Sequence, residues 1–213
     1  MSERTGIYSI LKVSWLYDFW HYCVGANDAF RTFSREYLRP EWNEKILDIG
    51  CGTGKFADFL PENTGYMGCD MNASYIETAR ATYPKRGPFW QARLERRQLF
   101  MLPECVPKDY SVVLSCCVGH HLNDEEFLRL METAHNLLTI SSTPSRFVLY
   151  DNCLTNEQST FSRWLTLQDR GRYPRHYESQ VDLLNKYFAS VTAQVRTDLY
   201  RLPTSIIIAE AKL

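Results

Sequence analysis

Two adjacent cysteines precede two adjacent histidines in the stretch VLSCCVGHHLND, residues 113–124. Cysteine and histidine side chains can bind a metal ion, form an activated thiol or supply a general base. A zinc site needs four converging ligands, whereas neighbouring side chains such as Cys116 and Cys117 are expected to point in different directions. We therefore predict no metal site. The surrounding elements decide whether His120 and His121 supply a base, activate a thiol nucleophile or only pack.

A second chemical signal is the segment ILDIGCGTGKF, residues 46–56, where an apolar run leads into three glycines and then a helical pattern. Gly50, Gly52 and Gly54 leave backbone amides accessible at a helix N-terminus, which suits a polar ligand. Asp70 ends the next apolar run, where an acid can accept hydrogen bonds from ribose hydroxyls. The glycines and the acid together predict a nucleoside pocket. The spacing fits neither the G-x-G-x-x-G nor the G-x-x-x-x-G-K pattern.

Apolar runs alternate with helical patterns from Glu44 onward, which predicts an α/β fold with a parallel sheet covered by helices. The predicted strands are 45–50, 65–70, 88–93, 110–116 and 146–151, followed by an antiparallel terminal pair at 190–200 and 204–213. The predicted helices are 55–60, 72–83, 123–138, about 157–168 and 177–187. An amphipathic, aromatic N-terminal segment predicts a helical cap over residues 1–40, ahead of one compact domain at 41–213.

The composition excludes several classes of partner. With 24 basic and 25 acidic side chains among 213 residues, the chain has no overall field that would attract nucleic acid or an anionic membrane. No apolar run is long enough to span a bilayer, and none of the seven cysteines has C-x-x-C spacing. We expect a cytoplasmic protein with free thiols and a small-molecule partner.

The segments LDIGCGTG and GCDMNASYIETAR resemble the first two motifs of class I S-adenosylmethionine-dependent methyltransferases, and the resemblance extends from about residue 45 to the C-terminus. It implies a Rossmann-like sheet with six parallel strands and one antiparallel strand, and S-adenosylmethionine as the cofactor. The methionine end of the cofactor would lie on the glycine loop, which includes Cys51, with Asp48 as the acid at that end. The ribose would bind Asp70, and the adenine would pack on Met71.

One position departs from the family pattern. Similar proteins often carry an acid after the third strand that receives the adenine amino group, whereas this chain has Arg93 there. Either Glu95 substitutes for that acid, or the backbone amide of Leu94 and packing hold the adenine. We expect weaker cofactor binding than in relatives that carry the acid.

The fourth predicted strand ends at the switch point of the sheet, so Ser115, Cys116 and Cys117 are expected to border the cofactor. The resemblance gives this strand end no covalent role, which disfavours a thiol nucleophile. In similar proteins the residue aligned with His120 faces the acceptor and the one aligned with His121 packs inward. We predict His120 as the base or acceptor-orienting group, with His121 as its support; capping or packing of the next helix is the alternative.

The acceptor side is less well defined. Asp151 follows the fifth strand, where metal-dependent relatives bind magnesium, but the carboxylate those enzymes use at the fourth strand is missing here. Asp151 is therefore either a pocket residue or a polar strand end. Arg170 and Arg175 lie in a D-R-G-x-x-x-R stretch like that of a small-molecule branch of the family, the type 11-like branch. They would hold an anionic acceptor or form a solvated loop.

The same branch carries an N-terminal tyrosine at a position that corresponds to Tyr17, and His21 stands where the branch has glutamine. Both are predicted to line the acceptor site or to pack within an amphipathic helix. The sequence as a whole predicts methyl transfer to a small molecule, at oxygen, with carbon and nitrogen as alternatives. A cofactor-binding protein without transfer, such as a regulatory subunit or a cyclase, is the second class of function.

Overall fold

A computed structural model describes residues 25–95, 98–101, 109–141, 143–169 and 171–213. The strands are β1 (Lys45–Ile49), β2 (Gly65–Asp70), β3 (Phe89–Gln91), β4 (Arg93–Glu95), β5 (Gln98–Met101), β6 (Val112–Cys116), β7 (Arg146–Leu154), β8 (Arg175–His176), β9 (Ser190–Arg196) and β10 (Ile206–Lys212). In the described part of the chain the main sheet has the order β3-β2-β1-β6-β7-β10-β9, and β10 alone runs antiparallel to its neighbours. The predicted seven-stranded Rossmann-like sheet is confirmed.

The helices are α1 (Ala26–Phe33), α2 (Ala73–Thr82), α3 (Asp124–Thr139), α4 (Thr160–Gln168) and α5 (Tyr177–Leu184). A π-helical turn, Ser34–Leu38, continues α1, and two 3₁₀ turns cover Lys55–Phe59 and Gly119–His121. Asparagine caps start two of the helices because its side chain accepts otherwise unpaired backbone amides. Asn72 accepts from Ser74 N at 3.0 Å, and Asn123 forms a reciprocal capping box with Glu126.

Several element boundaries differ from the prediction, and three of the differences have a local cause. The predicted helix at 55–60 is a 3₁₀ turn, because it starts after left-handed Gly54 and Leu60, which precedes a proline, is already extended. The third strand ends at Gln91, and the next residues form a β4–β5 hairpin outside the main sheet. Helix α4 begins at Thr160 because the Ser159 side chain accepts from Ser162 N and caps it there.

Two hydrophobic clusters cover the faces of the sheet, as the alternation of side chains along a strand requires. In β10, Ile207 belongs to the cluster under α3 and α5, while Ile206 and Ile208 belong to the cluster under α1 and α2. Phe30 and Phe33 of α1 are part of that second cluster. Among the described residues, no helix is both long and apolar enough to cross a bilayer.

Candidate active site

The glycine loop follows β1 and turns back on the carboxyl edge of the sheet. Gly50, Gly52 and Gly54 all have left-handed backbone, with φ of 86°, 55° and 79°. A Cβ on Gly50 would overlap the side chain of Val118, so packing requires glycine at that position. A Cβ on Gly52 would meet no atom within 4 Å. The open side of Gly52 is therefore the part of the loop that a ligand can approach closely.

Asp70, at the end of β2, connects the loop to the next helix. Its carboxylate accepts from Gly52 N at 3.0 Å and from Asn72 N at 2.8 Å, which fixes the loop against the start of α2. Each carboxylate oxygen has a second lone pair, so these bonds leave acceptor capacity for a hydroxyl. Met71 beside it is 41% exposed and forms an apolar surface at the mouth of the loop.

Asp48 lies behind the loop and is almost completely buried. The Tyr66 hydroxyl donates to its Oδ2 at 2.6 Å, whereas the buried Oδ1 has no hydrogen-bond partner. Burial raises the pKa of Asp48 to about 7, the charge of Asp70 adds to that increase, and the Tyr66 bond opposes it. A cation in the pocket would favour the ionised carboxylate and supply the missing partner for Oδ1.

The other predicted cofactor residues have different surroundings. Cys51 is buried, and a Cβ on Gly68 would lie 2.7 Å from its sulfur, so it packs behind the loop. Burial raises the pKa of the Cys51 thiol well above its usual value. Leu94 lies in β4, in the hairpin beyond β3. Ser115 is fully buried, and its Oγ has no hydrogen-bond partner.

The expectation that the side chains of Cys116 and Cys117 point in different directions was wrong. Alternation along β6 would send Cys117 to the face opposite Cys116. Instead, Cys117 has a left-handed φ of 58°, its amide donates to Tyr150 O at 2.7 Å, and both cysteines pack against the same hydrophobic cluster. This conformation costs a non-glycine residue about 1–2 kcal/mol.

His120 is held in the 3₁₀ turn after β6 and is only 4% exposed. Its Nδ1 hydrogen-bonds to Oδ1 of Asp151, which is also buried, and its Nε2 lies 3.5 Å from Oδ2 of Asp169. The same Asp151 oxygen accepts from Asn152 N at 2.9 Å. Asp151 therefore orients the imidazole ring. It lies within β7, which continues to Leu154, and not at the strand end where it was predicted.

The two carboxylates determine the charge of this histidine. Burial favours the neutral ring, but the charge of Asp151, its hydrogen bond and the more distant charge of Asp169 outweigh it and raise the pKa of His120 to about 9. At neutral pH the ring is therefore mostly protonated, with both nitrogens directed at carboxylates.

The burial of the two histidines is opposite to the prediction. His120 is buried, whereas His121 is exposed, and their ring centroids are 4.2 Å apart. The expectation that His121 packs inward was wrong because the 3₁₀ turn directs His120 toward β7. Neither ring caps α3, since Asn123 does so.

The segment after α4 covers His120. Asp169 faces its Nε2, the Tyr173 amide donates to its backbone oxygen at 2.9 Å, and a Cβ on Gly171 would overlap its ring. The Asn152 side-chain amide donates to Asp169 Oδ2. Sequence reasoning missed Asp169 and Asn152 as site residues. Asp169 is the first residue of the D-R-G stretch, which was the available signal, but only the arginines of that stretch were predicted to bind the acceptor.

Arg175 does not have the surroundings predicted for a residue that binds an anionic acceptor. The guanidinium is 8% exposed and donates to Gly119 O at 2.8 Å, Leu122 O at 2.6 Å and Asp124 Oδ1 at 2.8 Å. It also lies over the ring of Phe127, 4.6 Å from the centroid. Arg175 thus fixes the turn that carries His120 instead of facing a pocket.

Replacing Arg175 with alanine should destabilise the protein by about 3 kcal/mol, because buried carbonyls lose charged donors. Urea unfolding measures the change. The matched control is Arg31→Ala, which removes an exposed pair with Asp28 and should cost less than about 1 kcal/mol. Equal effects of the two substitutions would contradict the assignment of Arg175 to the turn.

Three predicted acceptor residues, Tyr17, His21 and Arg170, lie outside the described residues. Within the part of the chain that the structure describes, no group of three or more histidine, cysteine or acidic side chains is arranged to bind a metal ion.

Residues 46–140 match the model of the methyltransferase domain family. The fold, with its glycine loop after β1 and Asp70 after β2, agrees with this match. The matched segment holds the glycine loop and Asp70, so this part of the chain is similar to methyltransferase domains, as the sequence motifs predicted. S-adenosylmethionine is the cofactor that the similarity implies.

Three particular proteins illustrate the similarity. Protein 235L of Invertebrate iridescent virus 6, whose name assigns it provisionally to the methyltransferases, is 23% identical over 155 residues, 70% of this chain and 53% of that protein. The chain thus spans about half the length of this relative.

Two solved structures share the fold at low sequence identity. A TehB-like S-adenosylmethionine-dependent methyltransferase from Corynebacterium glutamicum is 14% identical, with a TM-score of 0.57 over 87% of this chain and 88% of that chain. The mitomycin 7-O-methyltransferase MmcR is 18% identical, with a TM-score of 0.56 over 87% of this chain and 53% of that chain.

Proposed function

We propose that the protein transfers the methyl group of S-adenosylmethionine to a hydroxyl of a small-molecule acceptor, with His120 as the general base. The observation that carries this proposal is the buried pair between His120, in the turn after β6, and Asp151, within β7. Val118, two residues before His120, packs against Gly50 of the glycine loop. The candidate base and the candidate donor pocket therefore share one edge of the sheet.

The residues at this edge fit the proposed cofactor. Gly52 leaves open space for close approach, Asp70 keeps acceptor capacity, and Asp48 offers a buried oxygen without a partner. When bound, S-adenosylmethionine supplies an electrophilic methyl group on a sulfonium. The backbone of the loop would hold its methionine end, and the acids on β1 and β2 would complement its positive charge and its ribose.

The protein's part in the reaction is to position the acceptor and to take its proton. Asp151 accepts the Nδ1 proton of His120, which leaves Nε2 as the atom that can remove a hydroxyl proton. Asp169, whose side chain is 39% exposed, faces that nitrogen at 3.5 Å. An acceptor hydroxyl that reaches Nε2 must take a position beside this carboxylate.

The pH dependence of turnover tests the base. Because the carboxylates raise the pKa of His120 to about 9, the neutral form becomes more abundant as the pH rises. We expect kcat/KM, measured as homocysteine release with a coupled hydrolase, to rise with pH and to level off near that pKa. Asp169→Asn should move the rising limb toward neutral pH, whereas the exposed control Asp28→Asn should leave it in place. A limb centred near pH 6.5 in the unaltered protein would contradict the proposal.

A cofactor-binding protein without methyl transfer is the second candidate. The observation in its favour is that both ring nitrogens of His120 face carboxylates, so the resting site holds an acid and not a base. Calorimetry with S-adenosylhomocysteine combined with the homocysteine assay separates the two functions. Binding without release of homocysteine across hydroxyl, amine and carbon acceptors would favour this candidate.

We also propose that residues 1–40 form the cap over the acceptor side. The support comes from α4, which directs the small polar side chains of Ser162 and Thr166 inward while Phe161 and Trp164 are 54% and 53% exposed. These two rings stack with centroids 6.0 Å apart. Exposed aromatic pairs of this kind mark a surface that another segment or a ligand covers.

Removing residues 1–24 should abolish turnover while leaving the fold intact. The core contribution of α1 begins at Ala26, so a deletion to residue 40 would also remove Phe30 and Phe33 from the hydrophobic cluster. Homocysteine release and thermal unfolding measure the two effects. Trp164→Ala should lower turnover in the full chain, since the proposed cap would lose the ring against which it packs. A truncated protein with full turnover would refute the cap.

A further inference from the structure

The thiols of Cys116 and Cys117 converge at the edge of the donor pocket. Both residues are free cysteines, half-buried, and packed against the same hydrophobic cluster. The neighbouring Cys117 side chain and burial raise the pKa of the Cys116 thiol well above its usual value. This contact depends on the left-handed φ of 58° at Cys117, since an extended residue there would place its sulfur on the other face of the sheet.

The backbone at this point is held in a strained conformation by its neighbours. The Cys117 amide donates to Tyr150 O, and Cys116 pairs with Tyr150 in the sheet register. A glycine would satisfy the left-handed geometry without strain, yet the chain has a cysteine. Position 117 therefore carries a residue that is sterically unfavourable there, and its thiol lies on the same face of the sheet as the thiol of Cys116.

The thiol pair lies between the two halves of the active site. Cys116 ends β6, directly beside the strand that leads into the glycine loop. Cys117 stands three residues before His120, the candidate base on the acceptor side. A ligand held by both sulfurs would stand at the boundary between donor and acceptor pockets.

We propose that Cys116 and Cys117 form a dithiol site for a soft trivalent ligand of the organoarsenical class. Zinc does not fit, because two sulfurs supply only half of a tetrahedral set, whereas trivalent arsenic with one organic substituent needs two further ligands. Two As–S bonds replace two As–OH bonds of the hydrated arsenical. Each thiol proton leaves with a hydroxide as water, and the oxidation state of arsenic does not change.

Titration of the full-length reduced protein with phenylarsine oxide, followed by intact-mass spectrometry, tests the site. We expect one phenylarsenic group per chain, released by an added small dithiol. Because the second thiol acts at high effective concentration, loss of either one should weaken the apparent Kd by at least about 100-fold. The matched controls are Cys23→Ser and Cys105→Ser, which remove cysteines elsewhere in the chain and should leave the Kd unchanged.

The variant Cys117→Gly separates loss of the site from loss of the fold. Glycine removes the thiol and accepts the left-handed backbone, so this variant should unfold at the same temperature as the unaltered protein or higher. Loss of tight arsenical binding in folded Cys117→Gly and in Cys116→Ser would support the site. Binding that persists within about threefold in both variants, or that disappears in a control variant, would overturn it.

Discussion

Replacing His120 with glutamine should lower kcat by about 10²- to 10⁴-fold, the usual contribution of a positioned general base. Glutamine can keep a hydrogen bond to Asp151 and fill part of the buried space, but it cannot take a proton from an acceptor. The affinity for S-adenosylhomocysteine should stay within about threefold, because the donor side of the pocket does not include this ring.

Steady-state kinetics with a hydroxyl acceptor and calorimetry with S-adenosylhomocysteine measure the two quantities. His121→Gln is the matched control, since its ring is a neighbour of His120 but lies exposed. Asp151→Asn should also lower kcat, because a neutral amide does not stabilise the positive ring that forms when His120 takes a proton. A His120→Gln protein that turns over like the unaltered protein would remove the base from the mechanism.

The stability of His120→Gln bears on the same arrangement. The folded pKa of His120 lies above the unfolded value of 6.5, so its ion pairs stabilise the fold fully below pH 6.5 and lose that effect as the pH rises through about 9. The substitution leaves Asp151 and Asp169 without their cation. The loss of stability should therefore be larger at pH 6 than at pH 9. This pH dependence measures the structural role of His120, whereas kcat measures its chemical role.

Much of the fold could be read from the sequence because its signals are local. The period-two alternation of β10, with Ile206 and Ile208 on one face and Ile207 on the other, follows directly from the order of side chains. The Asn123 cap and the three glycines are also local signals. The β4–β5 hairpin could not be predicted in this way, since the third apolar run continues into it without a turn signal between Gln91 and Arg93.

The site could be predicted only where the residue type itself indicates the local backbone conformation, as glycine does in a tight turn. Gly50 and Asp70 follow strand ends, and the sheet brings such ends together. The convergence of Cys116 with Cys117 depends on one left-handed residue that carries no glycine, so no sequence pattern indicates it. The donors of Arg175 reach a turn more than fifty residues away, at Gly119 and Leu122, and only the fold reveals that contact.

The raised pKa of Asp48 bears on the proposed binding of the cofactor. Its buried Oδ1 lacks a donor, and burial keeps the carboxyl partly protonated near pH 7. A positively charged ligand would ionise it and release a proton, so cofactor binding and Asp48 are thermodynamically coupled. Under the proposed function, the cost of burying this acid without a partner would be reduced in the complex with the cofactor.

Gly52→Ala should leave the protein folded and weaken S-adenosylmethionine binding by about 10- to 100-fold. Its Cβ would meet no protein atom within 4 Å, so the free energy of unfolding falls only by the cost of left-handed backbone at an alanine. The methyl group would project into the space through which the loop receives its ligand. An intruding methyl in a close-packed contact costs about 1–3 kcal/mol, which corresponds to that change in Kd.

Gly50→Ala provides the contrasting control, because its Cβ would overlap Val118 inside the protein and should reduce the free energy of unfolding itself. Urea unfolding and calorimetry with S-adenosylhomocysteine distinguish the two positions: Gly52→Ala should change binding far more than stability, and Gly50→Ala should change stability first. Undiminished cofactor affinity in a folded Gly52→Ala protein would contradict the donor pocket at this loop. Because Gly52 has no protein neighbour to clash with, such a result could not be attributed to rearrangement of the core.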